Sequence, residues 1–399
     1  MTDNTTFLAL PEDIHIRILI ELDVYSVVHC AMTCKELCEI VRGSITLEYR
    51  IQLYLDGLVD VGASAAGTQN ILGDLLSYRQ AWFAQEWPGY IEKIVRSSQY
   101  RSHIKFKFGG GALFITDGRH LEIVTLPTSS TDDGCVIQHE LSTGGVSDFC
   151  IDSAQDVIAI LENTVQMEDL SNLEGYFRDI CIHIRTISTN LDHPLASKGK
   201  LWFVDECYDL REITISNPKL EIWDDILMLW TCHYIPRLLI WDWKTGNLLE
   251  DFTFDVAQSS LKPRYRHDFG LLGSSDFAFL TRPTGCGSIE LYRLGKYSND
   301  GPTTLLATLN FPPLSRNSAL KSLDLDVDST PVRQTPHGSF IVNNEEGIYV
   351  FRVCYEFQTK GTRVQYFSMT MYVHQRAFMK YCTYERDVED LSLDVPWDR

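Results

Sequence analysis

The chain has no long apolar run, and this absence excludes one class of protein. Hydrophobic residues make up 44% of its 399 residues, yet no uninterrupted stretch approaches the roughly 20 residues that a membrane-spanning helix needs. The first residues, Met1–Asn4, contain no Lys or Arg, and the apolar segment of a secretory signal does not follow them. We therefore expect a protein of the cytoplasm, the nucleus or both, without membrane contact.

Basic residues are scarce. The chain has 35 Lys and Arg against 54 Asp and Glu, a formal net charge of -19. Such a surface repels phosphates over most of its area, which argues against a nucleic-acid binder. The 11 cysteines are odd in number and include no CxxC pair, so a reducing compartment fits better than a disulfide framework. We expect Cys30, Cys34 and Cys38 to be small buried side chains and not zinc ligands, because no fourth ligand has a standard spacing.

Catalytic motifs are missing as well. The sequence has no HExxH pair, no P-loop and no G-x-S-x-G elbow. Gly109–Gly111 precedes a strand pattern and predicts a turn, and His183 alternates with isoleucines as an outward strand residue would. The doublets Asp132-Asp133 and Asp224-Asp225 are expected by chance among 54 acids. We predict no catalytic site, no cofactor and no metal.

Helical spacing dominates residues 10 to 41 and predicts three short helices. Pro11 suits a first helical position, Asp23 breaks the pattern, and Thr33 can cap the third helix. The apolar positions are Ile14, Ile18 and Leu22 in the first helix, Val24, Val27, Val28 and Ala31 in the second, and Leu37, Ile40 and Val41 in the third. Three such helices bury little apolar surface among themselves, so the remaining surface needs a partner.

The stretch Leu10-Pro11-Glu12-Asp13-Ile14, with Ile18-Leu19, Leu22-Asp23 and Thr33-Cys34-Lys35-Glu36-Leu37 after it, resembles an F-box. That module docks substrate receptors of cullin-based ubiquitin ligases on a Skp-type adaptor. Leu37 stands where many F-boxes have tryptophan, so its contact should be smaller. Residues 47–51 and 78–82 also resemble segments that follow the box in a large fungal family of such receptors. The resemblance implies adaptor contacts by Leu10, Pro11, Ile14, Ile18, Leu22, Val27 and Leu37.

From about residue 100 the pattern changes to short, alternating or continuously apolar strands bounded by turns. Four strand pairs recur: Val157–Leu161 with Ile180–Ile187, Ile226–Trp230 with Leu238–Trp243, Phe277–Leu280 with Ile289–Tyr292, and Phe340–Val342 with Ile348–Val353. Their spacing predicts a β-propeller of about five to seven blades, with an open β-sandwich pair as the competing fold. Ile240–Gly246 resembles the closing strand and turn of a WD-type blade. We expect Val364–Val373 to complete a blade begun near the start of this domain.

The predicted fold is therefore α+β by segregation. We assign residues 8–56 to the helical F-box module, 57–95 to a linker and connecting helix, 96–384 to the propeller-like domain and 385–399 to a solvated acidic tail. The aromatic face of the connecting helix, with Trp82 and Phe83, would fix the module against the propeller-like domain.

The predicted function is a substrate receptor that binds a Skp-type adaptor, through it a cullin, and an unidentified target protein. Tyr234, Arg264–Arg266 and Trp202 are candidate recognition residues. Two alternatives stay open: a ligase-independent scaffold whose N-terminal helices only cap the propeller, and a propeller enzyme with its site in the central channel.

Overall fold

A computed structural model shows two compact units. One comprises Met1–Val95 with Gln334–Asn343, and the other Arg96–Arg333 with Asn344–Arg399. The structure describes residues 7–60, 67–84, 104–125, 135–141, 145–162, 176–207, 218–232, 236–253, 268–273, 275–281, 287–295, 303–311, 318–327, 340–342, 347–358, 364–382 and 393–395.

The first unit is helical. A 3-10 turn, Phe7–Ala9, precedes five helices: α1 (Glu12–Ile20), α2 (Val24–Thr33), α3 (Lys35–Gly43), α4 (Ile45–Leu55) and α5 (Thr68–Ala84). Asp23 caps α2 by accepting a hydrogen bond from Ser26 N at 2.9 Å. The prediction that Thr33 caps the third helix is wrong. Thr33 is the last residue of α2, and its hydroxyl donates to the Cys30 carbonyl at 2.7 Å.

A two-stranded antiparallel sheet completes the helical unit. Its strands are β1 (Leu58–Asp60) and β19 (Phe340–Val342), so the chain returns to this unit late in the sequence. The predicted pairing of Phe340–Val342 with Ile348–Val353 is therefore wrong. The other three predicted strand pairs are confirmed as antiparallel neighbours.

The described part of the second unit contains five sheets along the chain. The first is β2 (Lys105–Gly109), β3 (Ala112–Thr116), β4 (His120–Thr125) and β5 (Val136–Glu140); the second is β6 (Val146–Asp152), β7 (Val157–Glu162), β8 (Tyr176–Thr186) and β9 (Lys200–Cys207). The third is β10 (Lys219–Trp223), β11 (Ile226–Cys232), β12 (Pro236–Asp242) and β13 (Asn247–Thr253). The fourth is β14 (Phe269–Leu271), β15 (Asp276–Thr281), β16 (Ser288–Arg293) and β17 (Thr304–Asn310), with β22 (Leu393–Val395) beside β17. The fifth is β18 (Ser318–Val327), β20 (Ile348–Gln358) and β21 (Val364–His374).

Successive sheets pack face to face. On β7, Ile158 and Ile160 face a core shared with the first sheet, whereas Ala159 and Leu161 face a core shared with the third. Further cores lie between the third and fourth sheets and between the fourth and fifth. The first strands β2, β6, β10, β14 and β18 contact one another in turn. Strands buried on both faces explain the continuous apolar runs, and this serial packing is propeller-like.

Charged side chains join the first strands of neighbouring sheets. The backbone N–H of Leu220 on β10 donates to Asp148 of β6 at 2.8 Å. The Leu220 carbonyl accepts from Lys107 Nζ of β2 at 3.1 Å. Because Asp148 and Lys107 belong to the second and first sheets, one leucine backbone ties three sheets together.

The same arrangement recurs two sheets later. Leu325 N of β18 donates to Asp268 at 2.8 Å, and the Leu325 carbonyl accepts from Lys219 Nζ at 3.2 Å. Lys219 also lies 2.8 Å from Asp268 and 3.0 Å from Glu221. Burial works against the charged form of Lys219, but the two carboxylates outweigh burial and raise the pKa of Lys219 above its ordinary value. These charges connect neighbouring sheets and hold their strands in register.

The turns between strands use aspartate and positive-φ residues. Gly110 and Gly111 have φ of 58° and 74° in the turn from β2 to β3, which confirms the turn predicted at Gly109–Gly111. After β12, the carboxylate of Asp242 accepts hydrogen bonds from Lys244 N and Thr245 N. The WD-like segment is thus a third strand and its following turn, and Trp243 in it is fully buried.

The C-terminal part differs from the sequence prediction in two ways. Val364–Val373 lies in β21 and pairs with β20, and it does not complete the first sheet, which already has four consecutive strands. Leu393–Val395, within the segment predicted to be a solvated tail, forms a strand that pairs in parallel with Ala307–Leu309. A helix that the pattern did not indicate, α6 (Gln375–Cys382), packs Phe378 into the core of the fourth and fifth sheets. None of the helices among the described residues has the length and apolar character needed to cross a bilayer.

Candidate functional site

The first four helices form a complete small core. Leu19, Val27, Val41 and Leu47, one from each helix, are its buried centre. His15 of α1 is buried too, and its Nε2 lies 2.9 Å from the Phe7 carbonyl. The Phe7 ring meets His15 edge-on at 4.8 Å between ring centroids. The 3-10 turn at Phe7–Ala9 is therefore held against α1.

Arg50 of α4 fixes the end of α1. Its guanidinium donates to the carbonyl oxygens of Ile20 and Leu22, the latter at 2.9 Å. The Ile20 carbonyl belongs to the last turn of α1, and Leu22 precedes the N-cap residue of α2. Carbonyl groups at such positions have no hydrogen-bond partner within a helix. Arg50 thus satisfies two backbone carbonyl acceptors between α1 and α2. The segment 47–51, for which the sequence showed a resemblance to fungal receptors, therefore takes part in the packing of the module.

The predicted contact residues fall into two groups. Leu10 and Ile18 are 38% and 40% exposed, Pro11 is exposed, and Ile14 and Leu22 are half-buried. Val27 and Leu37 are 2% and 7% exposed. The prediction that Val27 and Leu37 contact an adaptor stays a prediction, but both side chains are buried within the module and have little surface to offer a partner. Their role is to hold α2 and α3 in place.

Sequence reasoning missed several apolar side chains at this surface. Phe7 and Leu8 in the 3-10 turn are 44% and 48% exposed. On α2, Tyr25, Val28 and Met32 are 66%, 37% and 78% exposed. Their spacing of three and four residues places them on one side of α2, next to the stripe of Val24, Val27 and Ala31. That spacing was a usable signal, but the two apolar stripes are neighbours, and only packing shows which of them is the core.

The same helices also carry exposed charged side chains, among them Glu12, Asp13 and Arg17 on α1 and Lys35, Glu36, Glu39 and Arg42 on α3. Asp23 is exposed, and hydrogen bonds from the Ser26 hydroxyl and backbone N–H lower the pKa of its carboxyl group. Cys30, Cys34 and Cys38 are half-buried free thiols. Among the described residues, these cysteines do not form a group of three potential metal ligands. Beside these polar groups, the number of large exposed apolar side chains on so small a module is typical of a protein-docking site.

Comparison with known families identifies the module. The family described as "F-box domain" matches residues 7–48. Residues 7–48 form an F-box domain. F-box domains generally bind Skp-type adaptors in SCF complexes, and the exposed side chains from Phe7 to Met32 lie within the matched residues. The F-box resemblance read from the sequence is thus confirmed. The comparison with curated proteins found no match.

Several solved structures are similar to parts of the chain. The C-terminal WD40 domain of Sif2 is 11% identical with a TM-score of 0.33, covering 66% of this chain and 58% of that one. Chaetomium thermophilum Sqt1 is 11% identical with a TM-score of 0.33, and the match covers 68% of this chain and 63% of that one. Kluyveromyces lactis Hsv2 is 10% identical with a TM-score of 0.30, and the match covers 70% of this chain and 75% of that one. The chain spans less than two thirds of the first two structures. At these scores the likenesses add nothing to the sheet packing described above.

Helices α4 and α5 follow the F-box in the same unit. Arg79 of α5 reaches Gln52 Oε1 at 2.6 Å and both carboxylate oxygens of Asp56. Leu53 and Leu75 are buried between the two helices. The side chain of Trp82 lies outside the part of the chain that the structure describes, so its predicted role in fixing the module stays a prediction. Phe83 is 80% exposed and packs into none of the cores formed by the described residues.

The candidate recognition residues of the β unit are only partly described. Trp202 is 56% exposed, but it lies in the strand β9 and not in a loop. Val204, two residues on and therefore on the same face, is 52% exposed. Tyr234 and Arg264–Arg266 lie outside the described residues.

Proposed function

We propose that the protein is the substrate-recognition subunit of an SCF-type ubiquitin ligase. Its F-box docks a Skp-type adaptor and through it a cullin, and its β unit binds a target protein. The observation that carries the proposal is the apolar surface of the F-box. Phe7, Leu8, Leu10, Tyr25 and Met32 stay exposed although the module has a finished core of its own.

The energetics of this surface favour a bound partner. Fully burying one large apolar side chain stabilises a complex by about 1.5–3 kcal/mol. Several such side chains on one small module, with aromatic and methionine residues among them, have the composition of an interface core. Binding of an adaptor would remove this surface from water, which explains why a folded domain keeps it.

The β unit contributes selection and not chemistry in this proposal. A receptor holds its target near the charged conjugating enzyme, which turns an encounter in solution into an effectively intramolecular one. Trp202 and Val204 on β9 offer an apolar strip for such a target. On the opposite face of β9, the guanidinium carbon of Arg237 lies 4.7 Å from the centre of the Phe203 ring, and this contact stabilises the strand.

The decisive experiment is co-purification with a Skp-type adaptor. We expect the double variant Leu10→Ala with Pro11→Ala to lose the adaptor while the β unit stays folded by circular dichroism. Leu55→Ala is the matched control, because Leu55 is a 65% exposed leucine of the same unit outside the matched F-box residues. Retention of adaptor by the double variant at the level of Leu55→Ala contradicts the proposal.

The two alternatives predict different results. A ligase-independent scaffold would fail to bind the adaptor even as the unaltered chain. An enzyme would need converging titratable groups that are available to a substrate. Along the first strands of the sheets, hydrogen bonds to neighbouring backbone groups engage the charged side chains of Lys107, Asp148, Lys219 and Asp268. Capture of the adaptor by the unaltered chain therefore separates the receptor from the scaffold.

A further inference from the structure

Three metal-ligating side chains meet inside the second sheet. The atoms Glu162 Oε2 and His183 Nε2 are 2.7 Å apart, and Cys181 Sγ lies 3.6 Å from the same His183 nitrogen. Within the described residues this is the one group of three potential ligands whose donor atoms all lie within 4.8 Å of one another. Cys181 and His183 are 0% and 2% exposed. The prediction that His183 points outward is wrong.

Strand register produces this convergence. Cys181 and His183 are two residues apart on β8, so both side chains point to the same face. Glu162 is the direct antiparallel partner of Cys181 on β7. The three side chains thus share the face of the second sheet that packs towards the first, where Ile158 and Ile160 are buried. A spacing of nineteen residues between Glu162 and Cys181 matches no metal motif, and the sequence could not show the cluster.

We propose that Glu162, Cys181 and His183 bind a zinc ion. Thiolate, imidazole and carboxylate are the ligands that Zn²⁺ takes in proteins, at about 2.0–2.3 Å. Tetrahedral bonds of that length separate ligand atoms by roughly 3.3–3.8 Å, and the distance of 3.6 Å from Cys181 Sγ to His183 Nε2 falls in that range. The carboxylate of Glu162, at the end of β7 and with its side chain 12% exposed, has to move back by only a fraction of an ångström.

Charge balance supports zinc at this buried position. One carboxylate and one thiolate neutralise Zn²⁺, and a neutral imidazole completes the set without adding charge. Zinc displaces the thiol proton of Cys181 to solvent when it binds.

The imidazole can change tautomer to bind the ion. Without metal, the 2.7 Å contact with the Glu162 carboxylate favours the tautomer that carries its proton on Nε2. With zinc on Nε2, the proton moves to Nδ1, which is buried and forms no hydrogen bond among the described residues. No existing hydrogen bond of Nδ1 has to break for this shift.

Metal analysis of the isolated full chain tests the proposal, and it requires no adaptor, so its failure is separate from failure of the ligase assignment. The protein is produced with added zinc, washed with a weak chelator and measured by mass spectrometry for metal content. We expect about one zinc per chain. Cys181→Ser and Glu162→Gln should lose it. Cys150→Ser is the matched control, because Cys150 is also buried in this sheet but faces the third sheet.

Cobalt supplies an independent readout. Exchange of Zn²⁺ for Co²⁺ should produce a thiolate-to-cobalt charge-transfer absorption in the unaltered chain and in Cys150→Ser, and Cys181→Ser should abolish it. Should Cys181→Ser fail to fold, the partly exposed Glu162→Gln decides. The proposal is overturned if the unaltered chain holds no more zinc than Glu162→Gln, or if all variants hold equal amounts.

Discussion

Arg79 and Asp56 form a two-point ion pair between α5 and α4. Arg79 Nε lies 2.9 Å from Asp56 Oδ1, and Nη2 lies 2.8 Å from Oδ2. Both side chains are about 25% exposed, and Arg79 is further held by the side chain and carbonyl of Gln52. Paired geometry of this kind is stronger than a single surface ion pair, and here it orients the helix that follows the F-box.

Arg79→Ala should loosen α5 from α4. We expect a loss of about 1–2 kcal/mol of local stability, because the bidentate pair and the bond to Gln52 disappear together. Hydrogen exchange of residues 68–84 measures this directly. Arg79→Lys should recover only part of the protection, since an ammonium group cannot make the paired contact. Equal exchange in Arg79→Ala and the unaltered chain would show that the pair does not hold α5.

Val27 and Met32 of α2 should separate stability from binding. Val27→Ala removes methyl groups from the F-box core and should cost about 1–3 kcal/mol of unfolding free energy. Met32 is 78% exposed, so Met32→Ala should leave stability within about 0.5 kcal/mol and weaken adaptor binding. Thermal unfolding and adaptor titration, run on both variants, check the two effects. Unchanged adaptor affinity in Met32→Ala would exclude its side chain from the interface.

Trp243 should be a stability residue of the β unit. It is fully buried in the core between the second and third sheets, and its Nε1 donates to the Asp224 carbonyl at 2.7 Å. Trp243→Phe should therefore cost about 1–3 kcal/mol, from lost packing and the lost indole hydrogen bond, while the Asp224 carbonyl keeps its hydrogen bond from Gln155 Nε2. Trp202→Phe, at a 56% exposed position, is the control and should be nearly neutral. Denaturant unfolding compares the two, and equal midpoints would contradict the assignment.

Asp117 should make stability depend on pH in the acid range. Burial works to raise its pKa, but hydrogen bonds from the backbone N–H groups of Arg119 and His120 outweigh burial and lower the pKa of Asp117 to about 2, from 3.8. A carboxyl group whose pKa is lower in the folded state stabilises the fold above pH 3.8. That contribution is lost as pH falls from 3.8 towards 2.

Asp117→Asn removes this titration and should flatten the corresponding part of the pH profile. After allowance for solvent screening, we expect a difference of about 1 kcal/mol between the two proteins at pH 6 that shrinks towards pH 2. Thermal unfolding from pH 6 to pH 2 measures it. A constant offset across that range would mean that the Asp117 charge does not contribute.

The sequence by itself determined the features that depend on local periodicity. Residues 10 to 41 carry helical spacing around Leu19 and Val41, and the alternating and apolar runs after residue 100 predict strands. Gly109–Gly111 predicts its turn because the positive φ at Gly110 is a backbone state that glycine adopts without strain. Each of these signals lies within a few neighbouring residues, and the F-box match at residues 7–48 is of the same kind.

Only the tertiary structure decided which side chains face each other. Val27 is core and Met32 is surface, although both are apolar residues of one short helix. Phe340–Val342 pairs with Leu58–Asp60, about 280 residues away in the sequence, and Glu162 of β7 meets His183 of the neighbouring strand β8. These outcomes depend on long-range register and on which faces become buried, and neither is written in the spacing of neighbouring residues.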